Sequence, residues 1–164
     1  MEIFVYHTPD LVPDLSGKAR KGGLKLDMPA CAIVIDVLRA TTTMATALQA
    51  GAEAIQVFDD LDELFRFSKR WPADQRLLAG ERSGEKLDGF DLGNSPSECT
   101  PSRVGGKRIF MSTTNGTRAL ERVQQVPLLL TASLTNRAAV VRFLMQEQPH
   151  TVWIVAAGWR GSFS

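Results

Sequence analysis

The chain has 164 residues, a mass of 18.0 kDa and a formal charge of +1, with 44% hydrophobic and 23% charged residues. That balance predicts one globular domain over residues 1–164 rather than a disordered chain. The near-neutral charge and a pI of about 7.8 argue against a bulk nucleic-acid or membrane-surface binder, which needs a basic field to attract phosphates.

In chain order, apolar and β-branched runs at 2–6, 31–37, 54–58, 76–79, 108–111, 127–131 and 151–156 predict strands. Helices are predicted between them at 42–50, 60–71, 115–124 and 135–148. Gly51 closes the first helix. Asp60 and Glu63 have capping-box spacing at the start of the second, whose Leu61, Leu64 and Phe65 form an apolar stripe. Val140, Phe143 and Leu144 repeat that spacing in the last, before Pro149 stops it. Apolar strands separated by amphipathic helices predict an α/β fold: a largely parallel sheet with helices on both faces. Because the last strand leads into a glycine-rich turn with no covering helix after it, the fold is expected to be C-terminally incomplete. Two stretches, 8–29 and 80–106, read as long loops, which in a compact domain tend to carry binding functions. Two strand-to-helix junctions share the pattern Ser-x-Thr-Asn, at Ser112 to Asn115 and Ser133 to Asn136. For the second, helix capping alone is the favoured role.

In an open parallel sheet, ligands bind beyond the carboxyl ends of the strands, and the polar content of this chain gathers there. Asp36, Arg39, Thr41 and Thr42 follow one strand, and Glu81 and Arg82 another; Asn94 lies further along the loop after Arg82. Ser112, Thr113, Thr114, Asn115, Gly116, Thr117 and Arg118 follow a third strand, and Arg160 the last. Carboxylates, hydroxyls and guanidiniums in that combination suit a metal ion together with a multiply charged oxyanion. The run STTNGTRAL, residues 112–120, carries the strongest local signal: a hydroxyl-rich turn feeds a helix start, and Gly116 would let an anion approach the backbone. Arg118 could add a bidentate contact. Asp36 ends an apolar strand, where it needs a metal, a guanidinium or water; an ion pair with Arg39 is an equally good account. A hard cation such as Mg2+ suits Asp36 and Glu81 better than zinc does.

Other sites are excluded. Cys31 and Cys99 have no metal-ligand spacing, and His7 and His150 lie far apart. Gly105-Gly106-Lys107 is not a phosphate-binding P-loop, since the earlier glycine is missing and a strand follows where a helix should. No basic leader precedes an apolar segment, and the longest apolar runs, 30–35 and 152–157, are six residues each, against the ~20 that span a bilayer. A cytoplasmic location is expected.

Four blocks in the same order, VIDVLRATTT (34–43), AGERSGEKLDGFDLGNSPSE (79–98), STTNGTRAL (112–120) and AAGWRGS (156–162), resemble the Mg2+-dependent 2-phosphosulfolactate phosphatases, the ComB-like proteins. The resemblance covers essentially the whole chain. It implies hydrolysis of 2-phospho-3-sulfolactate to 3-sulfolactate and phosphate, a step of coenzyme M biosynthesis. On this account Asp36 and Glu81 hold Mg2+ and act in catalysis with Arg39 and Arg118. Thr41, Thr42, Arg82, Asn94, residues 112–117 and Arg160 hold the substrate. The partner is a small anionic phosphorylated acid, with no nucleic acid and no membrane, and a homodimer is a candidate assembly. Members of that family continue beyond the point where this chain ends, so the chain is expected to be the N-terminal part of a longer protein. Two alternatives stay open: a phosphatase for another small phosphorylated acid, and a non-catalytic anion-binding domain.

Overall fold

The computed structural model describes residues 1–15 and 28–159. Its strands are β1 (Glu2–Tyr6), β2 (Cys31–Ile35), β3 (Ala54–Val57), β4 (Arg76–Arg82), β5 (Glu85–Lys86), β6 (Arg108–Ser112), β7 (Leu128–Ala132) and β8 (Thr151–Ala156). Its helices are α1 (Ala40–Gln49), α2 (Leu61–Ser68), α3 (Pro101–Val104), α4 (Gly116–Arg122) and α5 (Arg137–Glu147).

The fold is α/β, with two four-stranded sheets in the orders β1-β8-β2-β7 and β3-β6-β4-β5. Every pairing is parallel except β4 with β5. Alternation along the strands gives each sheet two buried faces. In the second sheet, Leu77, Ala79, Ile109 and Met111 pack with Ala40, Met44 and Ala47 of α1, while Phe110 faces the other way into a cluster with Phe58 and Leu64. In the first sheet, Ala32, Val34, Trp153 and Val155 meet Ala119 and Val123 around α4, and Ile33 and Val152 meet Val140 and Leu144 of α5. Helices therefore pack on both faces of both sheets, as the apolar runs require, while the edge strand β1 stays largely exposed.

The predicted elements are all present, β1 and β8 with the expected ends and the others with shifted ones. β2 stops at Ile35, which leaves Asp36 free of the ladder, and α1 begins at Ala40, so Thr41 and Thr42 belong to its first turn. Thr41 explains the early start: its hydroxyl accepts the Asp36 N–H at 3.0 Å and lies 2.7 Å from the Ala132 carbonyl, tying the ends of β2 and β7 to the helix. Asp60 caps α2 by accepting the Glu63 N–H at 2.7 Å. The stretch 80–106 is more ordered than a loop, since it holds the end of β4, β5 and α3. Of the stretch 8–29, residues 16–27 lie outside the described residues. The Ser133 to Asn136 junction does not cap α5: the Asn136 amide oxygen turns back to accept the Ser133 N–H at 2.7 Å.

Phe110 is fully buried, with Trp71 edge-on at 5.3 Å between ring centres. Phe110→Ala is expected to cost about 3–5 kcal/mol of unfolding free energy, measured by urea denaturation; an unchanged midpoint would mean that this face of the sheet is not a packed core.

Candidate active site

Asp36 stands one residue past β2, where the following turn presents peptide N–H groups; those of Arg39 and Ala40 point at its carboxylate. The position is half-buried, and burial pushes the Asp36 pKa above the usual range. The negative charge of Glu81 adds to the rise, while the N–H groups of Ala40 and Arg39 and the Arg39 guanidinium oppose it without cancelling it. The two carboxylates thus share one electrostatic environment although they come from different sheets.

Glu81 is the sixth residue of β4 and only 6% exposed. Burial alone would raise its pKa, yet the net shift is downward. The Thr114 N–H donates to Oε1 at 2.7 Å, and the Gly84 N–H and Thr114 hydroxyl donate to Oε2 at 2.6 and 3.2 Å. The neighbouring Arg82 charge contributes as well. A carboxylate accepting three hydrogen bonds stays ionised despite burial. The turn that makes this possible is tight. Ser83 and Gly84 both have positive φ, 55° and 90°, between the paired residues Arg82 and Glu85, which is the two-residue hairpin connection that glycine permits at low cost.

Two guanidiniums flank the carboxylates. Arg39 donates to the Gly84 carbonyl at 3.0 Å, and Arg82 donates to Ser112 Oγ at 3.0 Å and to the Glu81 carbonyl at 2.9 Å. Each has donors left over, because a guanidinium carries five N–H groups.

The turn 112–117 is arranged differently from the anion cradle the sequence suggested. Thr113 and Thr117 bond each other, side chain to backbone, at 2.9 and 3.1 Å, and Thr114 serves Glu81. Asn115 precedes α4 without a side-chain cap. A Cβ built at Gly116 would lie 2.9 Å from Asp36 Oδ2 and 2.6 Å from the Ala40 Cβ. The space that Gly116 keeps open is therefore occupied by a carboxylate of the protein itself.

Of the other residues expected at the site, Thr42 bonds the Val37 carbonyl at 2.8 Å. Asn94 is buried, 5% exposed. Arg118 is not gathered with the carboxylates: it pairs with Asp10 at 2.6 Å, half exposed, in a groove of about 460 Å³ lined also by Pro9, Leu15 and Arg122. Arg160 lies outside the described residues. The sequence reading missed Gly84, whose N–H and carbonyl link Glu81 to Arg39, although its Ser-Gly pair between strand residues was a turn signal. It also missed Asp10, which carried no local signal. Among the described residues no helix is long and apolar enough to cross a membrane.

The family model described as 2-phosphosulpholactate phosphatase matches residues 20–164. Proteins named probable 2-phosphosulfolactate phosphatase are similar along the whole chain: 58% identical in Synechocystis sp., 59% in Thermosynechococcus vestitus and 58% in Nostoc punctiforme. The chain spans 62–64% of the length of these relatives.

The opposite pKa shifts make opposite stability predictions. Asp36 holds its proton more tightly when folded, so its ionisation costs stability as pH rises from the ordinary carboxylate range through the raised value. Glu81 contributes stability that is present above the ordinary range and lost as pH falls through the lowered value. In metal-free buffer near neutral pH, Asp36→Asn is expected to melt above the wild type and Glu81→Gln below it. Both differences should shrink below about pH 4, where ordinary carboxyls are protonated. Thermal melts across pH check this, and a destabilised Asp36→Asn at neutral pH would contradict the burial cost assigned to Asp36.

Proposed function

The chain belongs to the 2-phosphosulfolactate phosphatase family, and from that premise we propose that it carries the hydrolytic site for 2-phospho-3-sulfolactate, releasing 3-sulfolactate and phosphate with Mg2+ as cofactor. The observation that carries this proposal is the half-buried Asp36 under the influence of the buried Glu81 charge, at strand ends flanked by Arg39 and Arg82. A desolvated carboxylate beside a second negative charge is costly, and a divalent cation offsets that cost.

The donor set fits such an ion. Both groups offer hard oxygen atoms, and among the described residues no third acidic, His or Cys side chain completes a cage. Magnesium is commonly held in this way, by one or two carboxylates with water and substrate phosphate supplying the rest. Asp36 and Glu81 would hold it; the chemistry it supplies when bound is Lewis-acid stabilisation of charge on the phosphoryl oxygens. Arg39 and Arg82 then bind and orient the anionic groups of the substrate, each already aligned by a hydrogen bond to the neighbouring turn or strand. Glu81, kept ionised by the Thr114 and Gly84 N–H groups, needs no rearrangement to act. A phosphate, a sulfonate and a carboxylate on one small skeleton suit a site with several separate cationic contacts. A cytoplasmic location, a place in coenzyme M biosynthesis, a homodimeric assembly and the absence of nucleic-acid and membrane partners belong to the same proposal.

Phosphate release from 2-phospho-3-sulfolactate is expected with Mg2+ and not with EDTA. Asp36→Asn should abolish it, and Arg82→Ala should lower kcat/KM about 10²-fold, as loss of a charge-stabilising donor does. Arg118→Ala, whose guanidinium is engaged by Asp10, should have a smaller effect than Arg82→Ala. Release that persists in EDTA and in Asp36→Asn would overturn the proposal.

A further inference from the structure

The three hydrogen bonds that reach Glu81 among the described residues are shared unevenly between its oxygens. Oε2 accepts the Gly84 N–H at 2.6 Å and the Thr114 hydroxyl at 3.2 Å, whereas Oε1 accepts only the Thr114 N–H at 2.7 Å. Each carboxylate oxygen has two lone pairs. Both on Oε2 are therefore engaged, and one on Oε1 is left.

The direction of the Thr114 hydroxyl is fixed by its other neighbour. The Ser83 N–H donates to Thr114 Oγ1 at 3.3 Å. Because a peptide N–H only donates, the hydroxyl accepts there and its single proton goes to Oε2. Ser83 and Gly84, the two residues of the β4–β5 turn, thus supply successive N–H groups, one to the hydroxyl and one to the carboxylate oxygen that the hydroxyl serves. Glu81 is 6% exposed, and turning its carboxylate would break charge-assisted bonds to both turns at once.

A carboxylate with one oxygen fully engaged meets a metal ion through the other alone. Ca2+ takes about six to eight oxygens in flexible geometry and often grips a carboxylate by both, whereas the smaller Mg2+ needs a near-octahedral shell and keeps several waters. We propose that Thr114 is a positioning residue that favours Mg2+ over Ca2+: its hydroxyl occupies Oε2, leaves Glu81 a one-oxygen ligand, and makes no contact with the substrate. The inference rests on the preceding assignment of the cation to Asp36 and Glu81.

Calorimetric titration of the protein with Mg2+ and with Ca2+, each alone and without substrate, tests this. Thr114→Val keeps the side-chain shape and the N–H to Oε1 but loses the hydroxyl. It is expected to lower the ratio of Mg2+ to Ca2+ affinity at least about tenfold, the smaller of the effects that follow the loss of a hydrogen-bond partner to a metal ligand. Thr114→Ser, which keeps the hydroxyl and loses only the methyl group, should retain the wild-type ratio. An unchanged ratio in a folded Thr114→Val, or in Thr114→Ala should the first fail to fold, would overturn the inference and leave the cation assignment standing. A ratio that falls as far in Thr114→Ser would overturn it too, since packing and not the hydroxyl would then decide. A wild type that binds neither ion would overturn both the inference and the assignment.

Discussion

The ionised Glu81 carboxylate is the point on which the site's geometry depends. Its oxygens gather the N–H of Thr114 from the β6–α4 turn and the N–H of Gly84 from the β4–β5 hairpin. Those two turns are therefore held against one strand end by charge-assisted bonds, which are stronger than neutral ones. The hairpin then passes the constraint on: the Gly84 carbonyl receives Arg39, and Arg39 immediately precedes α1, the helix whose first N–H faces Asp36. One buried charge thus links segments from both sheets.

The two acids do not have equivalent surroundings. Glu81 is satisfied by the protein and sits below its ordinary pKa, whereas Asp36 has fewer donors, feels the Glu81 charge and sits above it. The surroundings thus push the two carboxylates in opposite directions. The cost appears in stability, since the ionised Asp36 is a liability in the fold. Gly116 belongs to the same arrangement. Any side chain there would strike Asp36 or Ala40, so α4 can approach α1 closely only because this position has no Cβ.

The longer-range charges are divided similarly. Arg39 and Arg82 are anchored near the acids by backbone and hydroxyl acceptors, which leaves donors for an anion. Arg118 is spent on Asp10, at the flank of α4 that carries the separate groove. A run of basic residues at strand ends therefore does not amount to one cationic pocket; what each guanidinium meets first decides whether it can serve a ligand.

Much was legible without coordinates where local rules decide. The apolar runs became strands because a buried parallel strand needs both faces apolar, and Asp60 capped α2 as its spacing to Glu63 required. The ordering of Asp36, Glu81 and the 112–118 turn at carboxyl strand ends followed from alternating strands and helices alone. What the sequence could not contain was pairing at long separation: the division into two sheets, Thr114 bonding Glu81 rather than an anion, Asp36 filling the space above Gly116, and Asp10 capturing Arg118 across 108 residues. Periodicity and capping are set by neighbours three or four positions apart, so the chain itself specifies them. Hydrogen bonds between buried charges and distant peptide groups are settled only by which backbones the packed core brings together.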